Sequence, residues 1–75
     1  MQTRQQTHTE IVDAILRYLD AHPDAVDSAE GIAKWWLPEA WCVDVQSVEA
    51  ALARLLRQGL IRRRENADRH VLYSR

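Results

Sequence analysis

The chain has 75 residues, 47% of them hydrophobic, with ten Lys and Arg against eleven Asp and Glu; this bounds it to one globular domain with a thin core and argues against disorder. Cys42 is the sole cysteine, which excludes an intrachain disulfide, and His8, His22 and His70 lack metal-ligand spacing, so no metal and no cofactor is expected. No run approaches the roughly 20 apolar residues of a membrane span, and the first ten residues are too polar for a signal peptide, so the expectation is a cytoplasmic protein without membrane contact.

Residues 1–6 read as a flexible tail. A first helix is expected over about 7–21. Thr7 and Glu10 have capping-box spacing, and Ile11, Val12, Ile15, Leu16 and Leu19 recur at helical spacing on one face. Pro23 disfavours a helical His22 and ends the segment. Residues 23–27 read as a connector. A second helix is expected over about 28–37, with Asp27 as its cap and Glu30 as the box partner. Ala29, Ile32, Ala33, Trp36 and Leu37 share a face. Gly31 costs this helix about 1 kcal/mol relative to alanine, and Pro38 stops it.

A third helix, about 44–58, carries the clearest pattern. Asp44 sits at the cap, and Val43 and Val48 have hydrophobic-staple spacing. Val48, Ala51, Leu52, Leu55 and Leu56 form the apolar stripe, and Gly59 supplies a left-handed C-cap. Two extended runs follow, about 60–65 and 69–74, around the polar turn Glu65–Asp68. They read as a two-stranded antiparallel hairpin. The fold class is therefore α+β.

The stretch VDVQSVEAALARLLRQGLIRRRENADRHVLYSR resembles the recognition-helix-plus-wing half of bacterial winged-helix regulators. The likeness lies in a valine after a polar cap, paired leucines late in the helix, Gly-Leu-Ile, an arginine-rich strand, a polar tip and a strand ending in tyrosine. With the two preceding helices it covers about residues 7–74. The resemblance implies a three-helix bundle followed by a wing. It also implies transcription regulation by binding double-stranded DNA, helix three entering the major groove and the wing touching the backbone or minor groove. The run KWWLPEAW between helices two and three has no counterpart in that pattern.

Charge distribution adds to this reading. Residues 1–42 balance to −4 and residues 43–75 to +3, which is what steering toward an anionic partner requires. On helix three the exposed candidates are Gln46, Ser47, Glu49, Arg54 and Arg57. Gln46 has the paired donor and acceptor that an adenine edge demands, and Glu49 can accept from a cytosine amino group. Ser47 suits a phosphate. On the hairpin Arg62, Arg64 and Arg69 can neutralise phosphates. Alternation puts Arg62 and Arg64 on one face and turns Arg63 toward the protein. The acidic residues Asp44 and Glu49 in the leading turn of helix three weigh against that turn as a base reader. One small copy offers few contacts, so a homodimer reading two half-sites is expected.

The alternative reading is a protein-interaction or dimerisation module that uses an exposed tryptophan patch, Trp35 and Trp41, without DNA binding, because tryptophan is enriched at binding hot spots. Trp36 is read as core. Catalysis finds no support: there is no glycine-rich phosphate loop and no carboxylate pair in an evident pocket, and Cys42 with His70 is better explained as a buried or half-buried structural cysteine. No enzyme activity and no small-molecule substrate is expected.

Overall fold

The computed structural model describes residues 6–75, and the expected tail 1–6 falls outside that range except for Gln6. The class is α+β: three helices and one antiparallel sheet. Helix α1 (His8–Ala21) starts with the capping box the sequence predicts. The Glu10 amide donates to Thr7 Oγ1 at 3.1 Å, and the Thr7 amide donates to Glu10 Oε1 at 3.0 Å. Both bonds satisfy donors that a helix start leaves free. The helix ends where Pro23 requires, with His22 as its C-cap.

Two expectations about the second helix are corrected. Residues 26 and 27 are not plain connector. They form a short strand, β1 (Val26–Asp27). The cap is Ser28, whose hydroxyl accepts from the Gly31 amide, and not Asp27. Asp27 instead accepts the Ser28 amide on Oδ1 at 2.8 Å. One residue thus ends the strand while its side chain holds the first amide of the cap. Helix α2 (Ala29–Gly31) then widens into a π-helical turn over Ile32–Trp36. The turn keeps Ile32, Trp36 and Leu37 all inside and sends Trp35 outward. A 3-10 turn, Glu39–Trp41, leads to α3 (Val45–Arg57).

Helix α3 leaves through a Schellman motif. The Leu60 amide donates to Leu55 O and the Gly59 amide to Leu56 O, both at 3.0 Å, with Gly59 at φ 71. That left-handed conformation is open to glycine at no steric cost. Because Gly59 and Leu60 are consumed by the exit, strand β2 is Arg62–Glu65 and starts later than the expected residue 60. Strand β3 is Val71–Ser74 rather than 69–74. The sheet has three strands in the order β1-β3-β2, all antiparallel neighbours, so the expected two-stranded hairpin is corrected to a hairpin with a third strand on its far side. The third strand escaped prediction because two residues carry no periodicity.

The core lies between α1, the second helix and α3. Ile15, Ile32, Val48, Leu52 and Leu55 are fully buried, and Ile61 closes the side nearest the sheet. Trp36 is 7% exposed and stacks on Tyr18, ring centroids 4.7 Å apart. Tyr18 stacks in turn on His22 at 4.3 Å. Trp36 is core, as its helical spacing indicates. Arg75 Nη1 reaches the end of α1, 3.5 Å from Leu19 O and from an Asp20 carboxylate oxygen.

Gly31 has ordinary right-handed helical angles, φ −64 and ψ −40, so its backbone does not need glycine. The space does. A Cβ at residue 31 would fall on the Asp27 carboxylate. Gly31→Ala therefore sets a helix-propensity gain of about 1 kcal/mol against displacement of Asp27 from the Ser28 amide. In the native background the exchange is expected to gain nothing or to destabilise. In an Asp27→Ala background it is expected to stabilise by about 1 kcal/mol. Urea unfolding of the four proteins measures the coupling, and additive effects would refute it. A second comparison tests the tryptophans: Trp36→Ala should cost about 3–5 kcal/mol, whereas Trp35→Ala should stay within about 0.5 kcal/mol by the same assay.

Candidate nucleic-acid interface

At about 100° per residue, Gln46, Ala50, Ala53 and Arg57 form the outward ridge of α3, and all four are exposed. The candidates of this helix do not all share that ridge. Glu49 lies on one flank and lines a cleft between the helices and the hairpin. Ser47 and Arg54 lie on the other flank and are half-buried; Ser47 borders a groove with Trp41, Asp44 and Ile11. Arg54 and Arg57 occupy the last turn, where a cation also complements the helix dipole. Asp44 is the N-cap by backbone geometry, but its side chain caps nothing.

The sheet sorts the arginines into two faces. Directly opposed residues share a face, and neighbours along a strand alternate. Arg62, Ser74 and Val26 form one row, with Arg64 and Leu72 beside them on the same face. Arg63, Tyr73 and Asp27 form the row on the opposite face. Ile61, two residues before Arg63, is buried, so this second face looks toward the helices. Arg63 thus lines the cleft, in keeping with the turn toward the protein that alternation predicts. The cleft, about 600 Å³, sets Arg63 and Arg69 on its sheet side against Glu49 and Glu30 on its helical side. Among the described residues, none of these four side chains forms an ion pair. Arg62 and Arg64, on the outer face, are exposed and unpaired in the same sense.

The hairpin tip explains where Arg69 sits. The Arg69 amide donates to Asn66 O at 2.9 Å, and the Asn66 amide to His70 O at 2.9 Å. Asn66 Oδ1 accepts from the amides of Asp68 and His70, each at 3.0 Å. One asparagine side chain therefore holds the whole loop. The closing position is Arg69, at φ 63, where glycine is the favoured residue. This left-handed arginine also explains why β3 cannot begin at residue 69.

The two interaction candidates separate. Trp35 is 67% exposed, with Lys34 Nζ 5.2 Å from its ring centroid. Trp41 is half-buried against the core, so the two do not form one equally exposed patch. The expected burial of Cys42 is corrected: as the left-handed end of the Glu39–Trp41 turn it is exposed, and its thiol contacts Glu39 O at 3.7 Å. Among the described residues no group of three His, Cys, Asp or Glu is placed to hold a metal ion, and no helix is long and apolar enough to cross a membrane. Sequence reasoning missed the pairing of β1 with β3, which puts Asp27 in the cleft wall; no local pattern signals it. Comparison with protein-family models, with curated proteins and with solved structures gives no match.

Arg69→Gly is expected to stabilise the domain by about 0.5–1 kcal/mol, since glycine removes the steric cost of the left-handed conformation but adds unfolded-chain entropy. Arg69→Ala, which keeps the Cβ, should leave stability within about 0.5 kcal/mol of the native value. Thermal unfolding of both variants distinguishes backbone strain from loss of the guanidinium.

Proposed function

We propose that this chain is a winged-helix domain that binds double-stranded DNA through the outward ridge of α3 and the outer face of the β2–β3 hairpin, acting as a transcription regulator of bacterial type in the cytoplasm. The element order supports the reading: helix, short strand, two further helices, then an arginine-rich hairpin whose second strand pairs back to the first. The observation that carries it is the placement of Arg62 and Arg64. They project from one face of β2, exposed and without an acidic partner among the described residues. They follow Arg54 and Arg57 by one tight turn at Gly59. Glu49, the acid that weighed against α3 as a reader, is turned to the cleft flank and away from the Gln46–Arg57 ridge.

On this reading Gln46 and Arg57 face the groove, Ser47 and Arg54 flank the backbone, and Arg62 and Arg64 meet phosphates, while Arg69 stays with the cleft. A homodimer would double these few contacts and read two half-sites. The exposed Trp35 supports the second reading, a protein-interaction surface that operates without DNA.

Binding to a mixed-sequence duplex should weaken linearly in log K against log salt. Arg62→Ala together with Arg64→Ala should lower the slope by about two, one per lost phosphate contact, with stability unchanged. Absence of any salt-sensitive duplex binding at low ionic strength would sink the proposal.

A further inference from the structure

Among the described residues, three large apolar side chains remain open to solvent: Trp35 at 67%, Val26 at 50% and Leu60 at 47%. Trp35 and Val26 fall on two surfaces of opposite charge, whereas Leu60 lies at the end of α1 beside Leu16, Leu19 and Arg75. The first lies at the end of the second helix. Lys34 covers one face of the Trp35 indole. Beside it runs a shallow groove of about 340 Å³ with an apolar floor of Ala33, Val43 and Val45, rimmed by Glu30 and Glu39. Asp44 lies outside it, in the neighbouring groove with Trp41 and Ser47. Two carboxylates therefore rim an apolar strip against the single ammonium of Lys34.

The second surface is the outer face of the sheet. Val26, Ser74 and Arg62 form one row, Leu72 and Arg64 the next. The surface is aliphatic at Val26 and Leu72 and carries two guanidiniums that form no ion pair among the described residues.

We propose that these surfaces bind one another between copies, so that the hairpin face of one chain seats on the Trp35 surface of a second, head to tail. Arg62 and Arg64 then oppose Glu30 and Glu39, and Trp35 is covered by the aliphatic side chains of the sheet. Arginine and tryptophan are residue types that anchor interfaces. Pairing of like faces is opposed by charge, because two hairpin faces would set arginine on arginine and two groove surfaces carboxylate on carboxylate. The contact is therefore heterologous. Both surfaces are small, which puts the association at the weak end of specific interfaces. It does not depend on nucleic acid. It occupies Arg62 and Arg64, so a bound duplex and a docked copy exclude each other.

Sedimentation equilibrium of the full chain without nucleic acid, at low salt and over a concentration series into the millimolar range, tests this. The expected result is a mass that rises with concentration and falls back in about 1 M salt, where charges are screened beyond ~3 Å. Arg62→Glu with Arg64→Glu in one protein, and Glu30→Lys with Glu39→Lys in another, should each weaken self-association by about tenfold or more. All four positions are exposed, and circular dichroism checks that both variants fold. An equimolar mixture of the two should recover association, because one retains the acidic groove and the other the basic hairpin. Trp35→Ala should weaken association by about tenfold or more with an unchanged thermal midpoint. The proposal is overturned if the native chain stays monomeric throughout, if the reversed variants associate as the native chain does, or if their mixture stays monomeric.

Discussion

Strand β3 is hydrogen-bonded on both sides, to β2 over four residue pairs and to β1 over two, and the shorter pairing ties the hairpin to the helices. A two-stranded hairpin is marginal in water on its own. Here its second strand meets Val26 and Asp27, which lie directly before the second helix. Asp27 serves both sides of that junction. Its backbone pairs with Tyr73, and its carboxylate holds the Ser28 amide. Gly31 leaves room for that carboxylate. The orientation of the arginine-bearing hairpin thus rests on one acid, one serine and one glycine that sequence spacing alone presents as an ordinary helix start.

The same junction divides the charge. The sheet has a face toward the helices, where Arg63 looks across the cleft at Glu49 and Glu30, and a face toward solvent, where Arg62 and Arg64 meet no acid among the described residues. Positive charge in the C-terminal half is therefore not one patch. Arg63 and Arg69 are partly offset by the opposite wall. Arg75 is drawn to the end of α1 by Asp20 and the Leu19 carbonyl, though with both partners largely exposed that pair adds little stability. What remains for an anionic or acidic partner is the outer row and the late turn of α3, a smaller set than the arginine count implies.

Conformational strain sits at the hairpin tip and at exposed Cys42, φ 49, before α3, rather than in the core. Arg69 occupies a left-handed position that glycine would fill at lower cost. The loop tolerates it because Asn66 supplies a carbonyl, an amide and a side-chain oxygen to the turn. The core shows no comparable compromise: its buried side chains are aliphatic apart from Trp36, and among the described residues none leaves a buried polar side-chain atom unpaired.

The sequence by itself determined the three helical segments, the Thr7–Glu10 capping box, the Gly59 exit, the burial of Trp36 and the hairpin after α3. Each of these is written in local chemistry: apolar spacing, a cap hydroxyl, a residue free to take positive φ, a polar turn. Tertiary structure decided the rest. Only packing showed that Val26 and Asp27 form a strand, because two residues have no period and their partner lies some 47 positions along the chain. Only the register separated Arg62 and Arg64 from Arg63 in their surroundings, and only the rotation of α3 against the core moved Glu49 off the outward ridge. Trp35 and Trp41, alike as letters, differ because one lies on the outer side of a widened helical turn and the other on a turn that folds back over the core. Long-range pairing and helix rotation depend on the whole apolar pattern at once, which is why no local motif reveals them.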